Sequence, residues 1–406
     1  MKDSGVEWIG EIPEEWEVAN IGQYFKQRNE KVSDLEYPPL SVTKQGIVPQ
    51  LDSAAKSSNH NDRKLVKKGD FVINSRSDRK MSAGVAQEDG SVSLINLVLY
   101  SDDTEMDRNY VAYLLKNVSF AEEFYRWGTG IVADLWSTKW SRMKKITIPY
   151  PTLVEQKKIA KLLDDKVEKI DDIIAETQQS IEELKKYKQA LITEVVTKGL
   201  DANVEMKDSG IEWIGEVPKN WDIKKLKYCL QQNDSKIIFA EGMKYIGLEH
   251  IQSSSGRILG FSVDFTNTAE KEFQTGDVLY SKLRPYLAKA FVADFPGVCS
   301  GEFLVLNNFT GNHYFLLYWL ISSKFTDYVN ASTYGTKMPR SSWDLIKETM
   351  IVLPNKEEQD RIVIYISSKA EQIDNLIIRK ENLVAEYQSY RNSLIFEYVT
   401  GKKRVL

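Results

Sequence analysis

Apolar positions in this chain follow two different periods, and the switch between them happens twice. Between residues 40 and 105 they come as short runs separated by polar turns: Pro39-Leu40-Ser41-Val42, Phe71-Val72-Ile73, Gly84-Val85-Ala86 and residues 93–100. Several of these runs favour β-branched residues, which predicts short strands. Residues 8–16 predict a short amphipathic lead-in broken by Gly10 and Pro13, and residues 21–34 a mixed helical segment. Residues 110–116 return to a helical pattern, matched by 314–322. Residues 146–149 and 350–353 predict closing strands, each stopped by proline.

Behind Pro151 and Pro354 the period lengthens. From Glu155 on, apolar residues fall at Ile159, Leu163, Val167, Ile170, Ile174, Ile181, Leu184, Leu191 and Val195, with Thr177 and Lys188 in the two gaps and no Gly or Pro before Gly199. The later run repeats this with Ile362, Ile366, Ala370, Ile373, Ile377, Val384, Tyr387, Leu394 and Tyr398. Steps of three and four with charged flanks specify a long helix carrying a coiled-coil seam. About forty residues at 1.5 Å each make a rod of about 60 Å. Each seam needs a partner, and the chain supplies the other one. Two halves related by a pseudo-twofold would pair these helices antiparallel, with a globular domain at each end. The competing expectation is two helices each packed only on its own domain.

The two runs belong to a duplication. Residues 2–16, KDSGVEWIGEIPEEW, return at 207–221 as KDSGIEWIGEVPKNW, identical at eleven of fifteen positions. Gly69-Asp70 answers to Gly276-Asp277, Trp127-Gly128-Thr129 to Tyr334-Gly335-Thr336, and Trp140 to Trp343. Pro151, Glu155 and Gln156 answer to Pro354, Glu358 and Gln359, and residues 194–197 to 397–400. Tandem units of about 200 residues follow: a first α+β domain at 1–150, a spacer helix at 151–200, a second domain at 201–353 and a second helix at 354–406. The middles have diverged; the edges have not.

Composition is ordinary for a globular chain, with 42% hydrophobic and 28% charged residues. No apolar run approaches the ~20 residues that span a bilayer, and no secretory signal precedes the repeat, so a cytoplasmic protein without membrane contact is expected. Cys229 and Cys299 lie only in the second copy and read as reduced core residues. The net charge of −4 does not announce a nucleic-acid binder; residues 1–150 carry 20 basic and 22 acidic side chains, and 201–350 carry 16 and 18. DNA binding would need local basic patches.

The order of parts resembles the specificity subunit of a type I restriction-modification system. The carrying residues are the KDSG-x-EWIGE-x-P-x-x-W starts at Lys2 and Lys207, the Gly69-Asp70 and Gly276-Asp277 strand starts, and the P-x-x-x-E-Q helix entries at Pro151 and Pro354. The resemblance covers nearly the whole chain. It implies two target-recognition domains, each reading half of a split, asymmetric double-stranded DNA sequence. It also implies helices that act as spacer and as docking surface for two modification subunits, with or without restriction subunits. S-adenosylmethionine, ATP and magnesium would then belong to those partners, and this chain would hold no cofactor.

Phosphate contacts need Lys, Arg or hydroxyls, and base readout favours Arg, Lys, Asn and Gln. On those grounds the best DNA-facing candidates are Ser75, Arg76, Arg79 and Lys80 in the first copy, with Lys282, Arg284 and Tyr286 at matching positions in the second. A second pair of tracts follows the glycines: Lys139 and Arg142 after Gly128, and Lys337 and Arg340 after Gly335. Those glycines either open the backbone to phosphate or make tight turns. Lys44 and Gln45 form a weaker third candidate. Trp140 and Trp343 read as core anchors, and Trp8, Trp16, Trp213 and Trp221 as pins holding the lead-ins against the long helices. The basic tail 401–404 reads as solvated or as a phosphate contact.

No phosphate loop, nucleophile elbow, H-E-x-x-H helix or Asn/Asp-Pro-Pro-Tyr/Phe methyltransferase motif is present, and His60, His250 and His313 are scattered. The reading is therefore a non-catalytic DNA-recognition subunit. A coiled-coil scaffold joining two protein partners without reading DNA is the alternative, favoured by the acidic balance. The two readings part on whether the basic loop and the tract after the glycine meet on one surface in each copy.

Overall fold

The computed structural model describes residues 1–51, 60–130, 136–264, 267–333 and 338–405. The chain divides into two compact units, Met1–Thr177 with Asn382–Leu406, and Gln178–Glu381. The long helices run over Leu153–Lys198 and Lys356–Val399, so each begins in one unit and ends in the other.

Each unit is α+β around the same antiparallel four-stranded sheet. In the first unit the order is Ala83–Val85, Phe71–Asn74, Asn96–Ser101, Phe25–Gln27; in the second it is Ala290–Val292, Val278–Ser281, Phe303–Asn307, Gln231–Asn233. The registers correspond, with Phe71 opposite Leu99 and Val278 opposite Leu306. Both faces of the central strands are covered, which is why these segments read as unbroken apolar runs rather than alternating ones. The Gly-Asp pairs start these strands: Asp70 Oδ2 accepts the Lys67 N–H at 2.9 Å and Asp277 Oδ2 the Gln274 N–H at 2.8 Å. The second sheets differ, three strands in one unit and four in the other, and here lie the diverged middles.

The closing strands Thr147–Tyr150 and Met350–Leu353 pair antiparallel with Glu17–Asn20 and Asp222–Lys225. The lead-ins are hairpins, Lys2–Asp3 with Glu11–Ile12 and Met206–Asp208 with Glu216–Pro218. The repeated Asp-Ser-Gly turns them: Asp3 and Asp208 each accept a glycine N–H two residues on, both at 2.9 Å. Residues 21–34 hold only the single turn Ile21–Tyr24 before the strands Phe25–Gln27 and Lys31–Val32. Sheet pairing with Asn96–Ser101 outweighs the weak helical period there.

The seam is buried as the heptads require. Ile159, Leu163, Val167 and Ile170 share a core with Leu394, Ile395 and Val399 in the first unit. In the second unit Ile181, Ile192, Ile362, Ile366, Ile373 and Ile377 are buried. Each such side chain contributes about 1.5–3 kcal/mol, against less than about 1 kcal/mol for an exposed ion pair, so apolar burial holds the helices together. Arg391 meets Asp171 at 2.7 Å in the first unit, and Lys188 meets Asp374 at 2.6 Å in the second. Arg404 also meets Glu155 at 3.4 Å in the first unit, and Gly199 lies beside Glu358 in the second, so within each unit the helix segments pair antiparallel.

Glycine ends both helices in the left-handed region, Gly199 at φ 79° and Gly401 at φ 73°, the usual helix stop. A Cβ on Gly199 would lie 3.2 Å from Trp221, and one on Gly401 would lie 2.4 Å from Pro13 and 3.0 Å from Trp16. Trp16 and Trp221 therefore do pin the lead-ins to helix ends. Trp8 is buried and donates to the Thr147 carbonyl at 3.0 Å, while Trp213 stacks on Tyr328 at 5.1 Å. Trp140 packs against the first core. Cys299 is buried, which pushes its thiol up to about 12, and Cys229 is half-buried; neither is in a disulfide. No helix among the described residues is long and apolar enough to cross a membrane.

Candidate nucleic-acid interface

In the first unit the strand Phe71–Asn74 runs directly into the basic loop, and the segment ahead of the one-turn helix Trp140–Met143 zips onto it. Thr138 N–H donates to the Ser75 carbonyl at 2.9 Å and Ser77 N–H to the Trp136 carbonyl at 3.0 Å, with Arg76 bridged to Ser137. The second unit repeats this. Ser341 N–H donates to the Lys282 carbonyl at 2.9 Å and Arg284 N–H to the Pro339 carbonyl at 2.8 Å, with Leu283 bridged to Arg340. The backbone frame is common, and the side chains on it are not. Arg76 faces Ser137 in one copy, while Leu283 faces Arg340 in the other: one arginine per bridge, delivered from opposite segments.

The structure thus brings Ser75 and Arg76 against the 136–138 segment that precedes Lys139 in the first unit, and brings together Lys282, Arg284 and Arg340 in the second. Ser75 is buried, so it offers its carbonyl to the frame rather than its hydroxyl to a ligand. Arg76 Nε lies 3.2 Å from Asp78, Arg79 Nε 3.6 Å from the same carboxylate, and Lys80 Nζ 3.1 Å from Glu122. Arg340 pairs with Glu302 at 2.7 Å. Arg79, Lys80 and Arg340 are exposed in these pairs, which are worth at most about 1 kcal/mol each there, whereas Arg76 and Glu302 are half-buried. Burial pushes the pKa of Lys282 down, with Lys271 adding to it and Glu302 and Asp234 opposing.

Arg284 and Tyr286 are exposed at the turn Pro285–Leu287, Arg284 in the left-handed region at φ 49°. Lys139 and Arg142 are exposed, Lys139 as the N-cap of Trp140–Met143 and Arg142 within it. Lys44 and Gln45 are exposed in the turn between Leu40–Val42 and Ile47–Pro49; Gly46 in that turn backs onto Gly84, where a Cβ would lie 3.0 Å away. Lys337 lies outside the described residues, with 334–336. Gly128 is a tight turn rather than a phosphate cradle: its Cβ would fall 2.2 Å from Trp136, and Thr129 pairs with Ser137 in both directions at 2.9 and 3.1 Å.

The basic tail is engaged internally. Lys402 Nζ donates to the Ile9 and Glu11 carbonyls, Lys403 pairs with Glu397 at 2.6 Å and Arg404 with Glu15. Trp136, Ser137 and Thr138 were not among the sequence candidates. Their signal was the 203-residue offset that aligns them with Pro339, Arg340 and Ser341.

Two copies of one frame with exchanged side chains define a repeated recognition module. The family model for the type I restriction modification DNA specificity domain matches residues 13–183 and again 215–384, and the chain belongs to that family. It is 26% identical to the type I restriction enzyme MjaVIII specificity subunit of Methanocaldococcus jannaschii over 425 aligned positions, 97% of this chain and 94% of that one. It is 25% identical to the type I restriction enzyme EcoDI specificity subunit of Escherichia coli over 266 residues, 59% of this chain and 60% of that one. Among solved structures, one from a study of complex assembly and conformational transition of the type I R-M system shares the fold. Its TM-score is 0.74 at 14% identity, covering 97% of this chain and 100% of that chain. The HsdS subunit from Thermoanaerobacter tengcongensis aligns with TM-score 0.52 at 16% identity, covering 97% and 98%. Membership counts against the scaffold reading, which gave the two diverged domains no task.

Proposed function

We propose that this chain is the DNA-recognition subunit of a type I restriction-modification complex. Each unit reads one half of a bipartite, asymmetric target, and the paired helices set the distance between the halves. The single observation that carries this reading is the zipped loop frame at 75–77/136–138 and 282–284/339–341, common in backbone and different in side chains. A common frame positions each module alike on the phosphates, and different side chains read different bases. Arg76, Arg79, Lys80, Lys139 and Arg142 face the first half-site. Lys282, Arg284, Tyr286 and Arg340 face the second, with Lys44 and Gln45 at the margin.

The outer faces of the long helices support docking of two modification subunits. Ile173 aligns with Leu376 and Tyr187 with Tyr390, and all four are exposed. The antiparallel register gives the first unit Ile173 and Tyr390, and the second Leu376 and Tyr187: one aliphatic and one tyrosine for each of two identical partners. Methyl transfer from S-adenosylmethionine, and ATP- and magnesium-dependent cleavage where a restriction subunit is present, are assigned to those partners. With a net charge of −4, tight DNA binding is expected only in the complex, where partner subunits add basic surface.

The test is methylation mapping across the genome of cells carrying this gene with its modification partner, and of cells without it. A split, asymmetric methylated motif that appears only with the gene establishes the function. No new motif, with both proteins present and associated, would return the scaffold reading to the front.

A further inference from the structure

The two sheets differ at one buried carboxylate. In the first unit Asp70, 3% exposed, is filled by the chain's own Arg28, with Nε to Oδ2 at 2.7 Å and Nη2 to Oδ1 at 3.1 Å. The same guanidinium lies 4.7 Å over the Tyr100 ring, and Arg108 reaches the Lys68 carbonyl beside it at 3.5 Å. Strand register and helix starts carry Arg28, Tyr100 and Arg108 onto Asn233, Asn307 and His313 in the second unit.

None of those three replaces the guanidinium. Asp277 is 8% exposed and accepts the Gln274 N–H at 2.8 Å, and no cation lies within ion-pair distance of it among the described residues. Burial raises its pKa, outweighing the Gln274 N–H and the His313 ring, which both lower it. Asn307 Oδ1 is buried without a hydrogen-bond partner. His313 holds its Nε2 3.1 Å from the Phe309 carbonyl; a carbonyl can only accept, so Nε2 carries a proton. A cavity of about 400 Å³ opens on these groups, lined also by Asn233, Gln274 and Asn308.

The Asp277 carboxylate and the unpartnered Asn307 Oδ1 are acceptors around one negative charge. No cluster of three or more His, Cys, Asp or Glu among the described residues is arranged for a metal. A guanidinium, planar, donor-only and permanently charged, matches the set. It is also the group that occupies the equivalent place in the first unit. We propose that the Asp277 cavity binds a guanidinium supplied from outside the chain, either the arginine side chain of a protein partner or a free small guanidine. The duplication has turned an internal ion pair into a socket.

The test titrates the full-length protein with N-acetyl-arginine N-methylamide, which presents the side chain without charged termini, by calorimetry at low salt. Binding is expected, at least tenfold weaker for the matching lysine amide. It is expected to fall at least tenfold in Asp277→Asn, and also in Asn233→Arg, whose new side chain would refill the cavity as Arg28 does. Thermal unfolding of both variants checks that they are folded. No binding to the wild type, or undiminished binding to folded Asp277→Asn, overturns the proposal. Given binding, the source follows from affinity for the modification subunit. A tenfold loss in Asp277→Asn identifies a partner's arginine, and an unchanged affinity identifies a free guanidine.

Discussion

Lys188 on the first long helix meets Asp374 on the second at 2.6 Å, and the residues that align with them, Arg391 and Asp171, form the same pair at 2.7 Å in the other unit. Duplication followed by antiparallel pairing has this consequence: a base-to-acid contact from the first helix to the second returns as one from the second to the first. The surroundings differ. Lys188 and Asp374 side chains are 10% and 15% exposed, with Arg257 adding to Asp374 at 3.2 Å, whereas Arg391 and Asp171 are 33% and 50% exposed.

That difference predicts unequal losses. Asp374→Ala leaves the Lys188 ammonium buried without its partner and is expected to cost about 3 kcal/mol. Asp171→Ala opens a pair already wetted by solvent and is expected to cost less than about 1 kcal/mol. Urea unfolding of the two variants reads the contrast; equal losses would mean that burial does not set the value of this pair.

The glutamine of each P-x-x-x-E-Q entry is a clamp. Gln156 Oε1 accepts the Asp107 N–H at 2.9 Å while its Nε2 donates to the Glu105 and Pro151 carbonyls, both at 3.0 Å. Gln359 holds Asn312 at 2.8 Å and Pro354 at 2.8 Å in the same way. Each ties the start of a long helix to the N-cap of a domain helix. Gln156→Ala leaves these buried backbone groups unpaired, at about 1–3 kcal/mol apiece, so a loss of at least about 2 kcal/mol is expected. Gln156→Leu should be no better, because shape is restored but the partners are not. A leucine variant as stable as wild type would assign the glutamine to packing alone.

The basic loops should divide by salt dependence. Arg284→Ala and Arg340→Ala are each expected to weaken DNA binding by the assembled complex. Removing a phosphate-binding side chain reduces the magnitude of the log K against log salt slope by about 1 and weakens all sequences alike. Removing a base-reading side chain costs about 1–3 kcal/mol at the target only and relaxes specificity at one position. Binding to target and scrambled duplexes across a salt series separates the two, and an unchanged affinity for both removes the residue from the interface.

Spacing should follow helix length. One heptad added to both long helices at matched positions keeps the seam in phase and adds about 10 Å. Methylation mapping should then show a gap about three base pairs wider between unchanged half-sites. An unchanged gap would mean that the helices are not the ruler.

Much of the architecture is legible in one dimension, because it is written in local patterns. The heptads of Ile159 to Val195 and Ile362 to Tyr398 specify two long seamed helices, and the repeated lead-ins specify two copies. The basic loops stand out because they follow a strand start that recurs at a matching position. What escapes is set by partners far away along the chain. Residues 21–34 carry a helical period and yet, past the turn Ile21–Tyr24, form the strands Phe25–Gln27 and Lys31–Val32, because these pair with residues 99–101 and 63–64. Gly128, which the sequence left between a phosphate opening and a tight turn, is closed by Trp136.

The sequence by itself determined the duplication, the helical rods, the α+β class and the family. Periodicity and self-similarity survive in one dimension. The tertiary structure alone decided that the 136–138 segment zips onto the 75–77 loop, that the basic tail is spent on internal contacts, and that Asp70 has an arginine where Asp277 has a cavity. Each of those depends on two or more segments, separated by tens to hundreds of residues, arriving at one place. Hydrogen bonding and charge pairing are decided by distance in space, and no local pattern records which distant groups will meet.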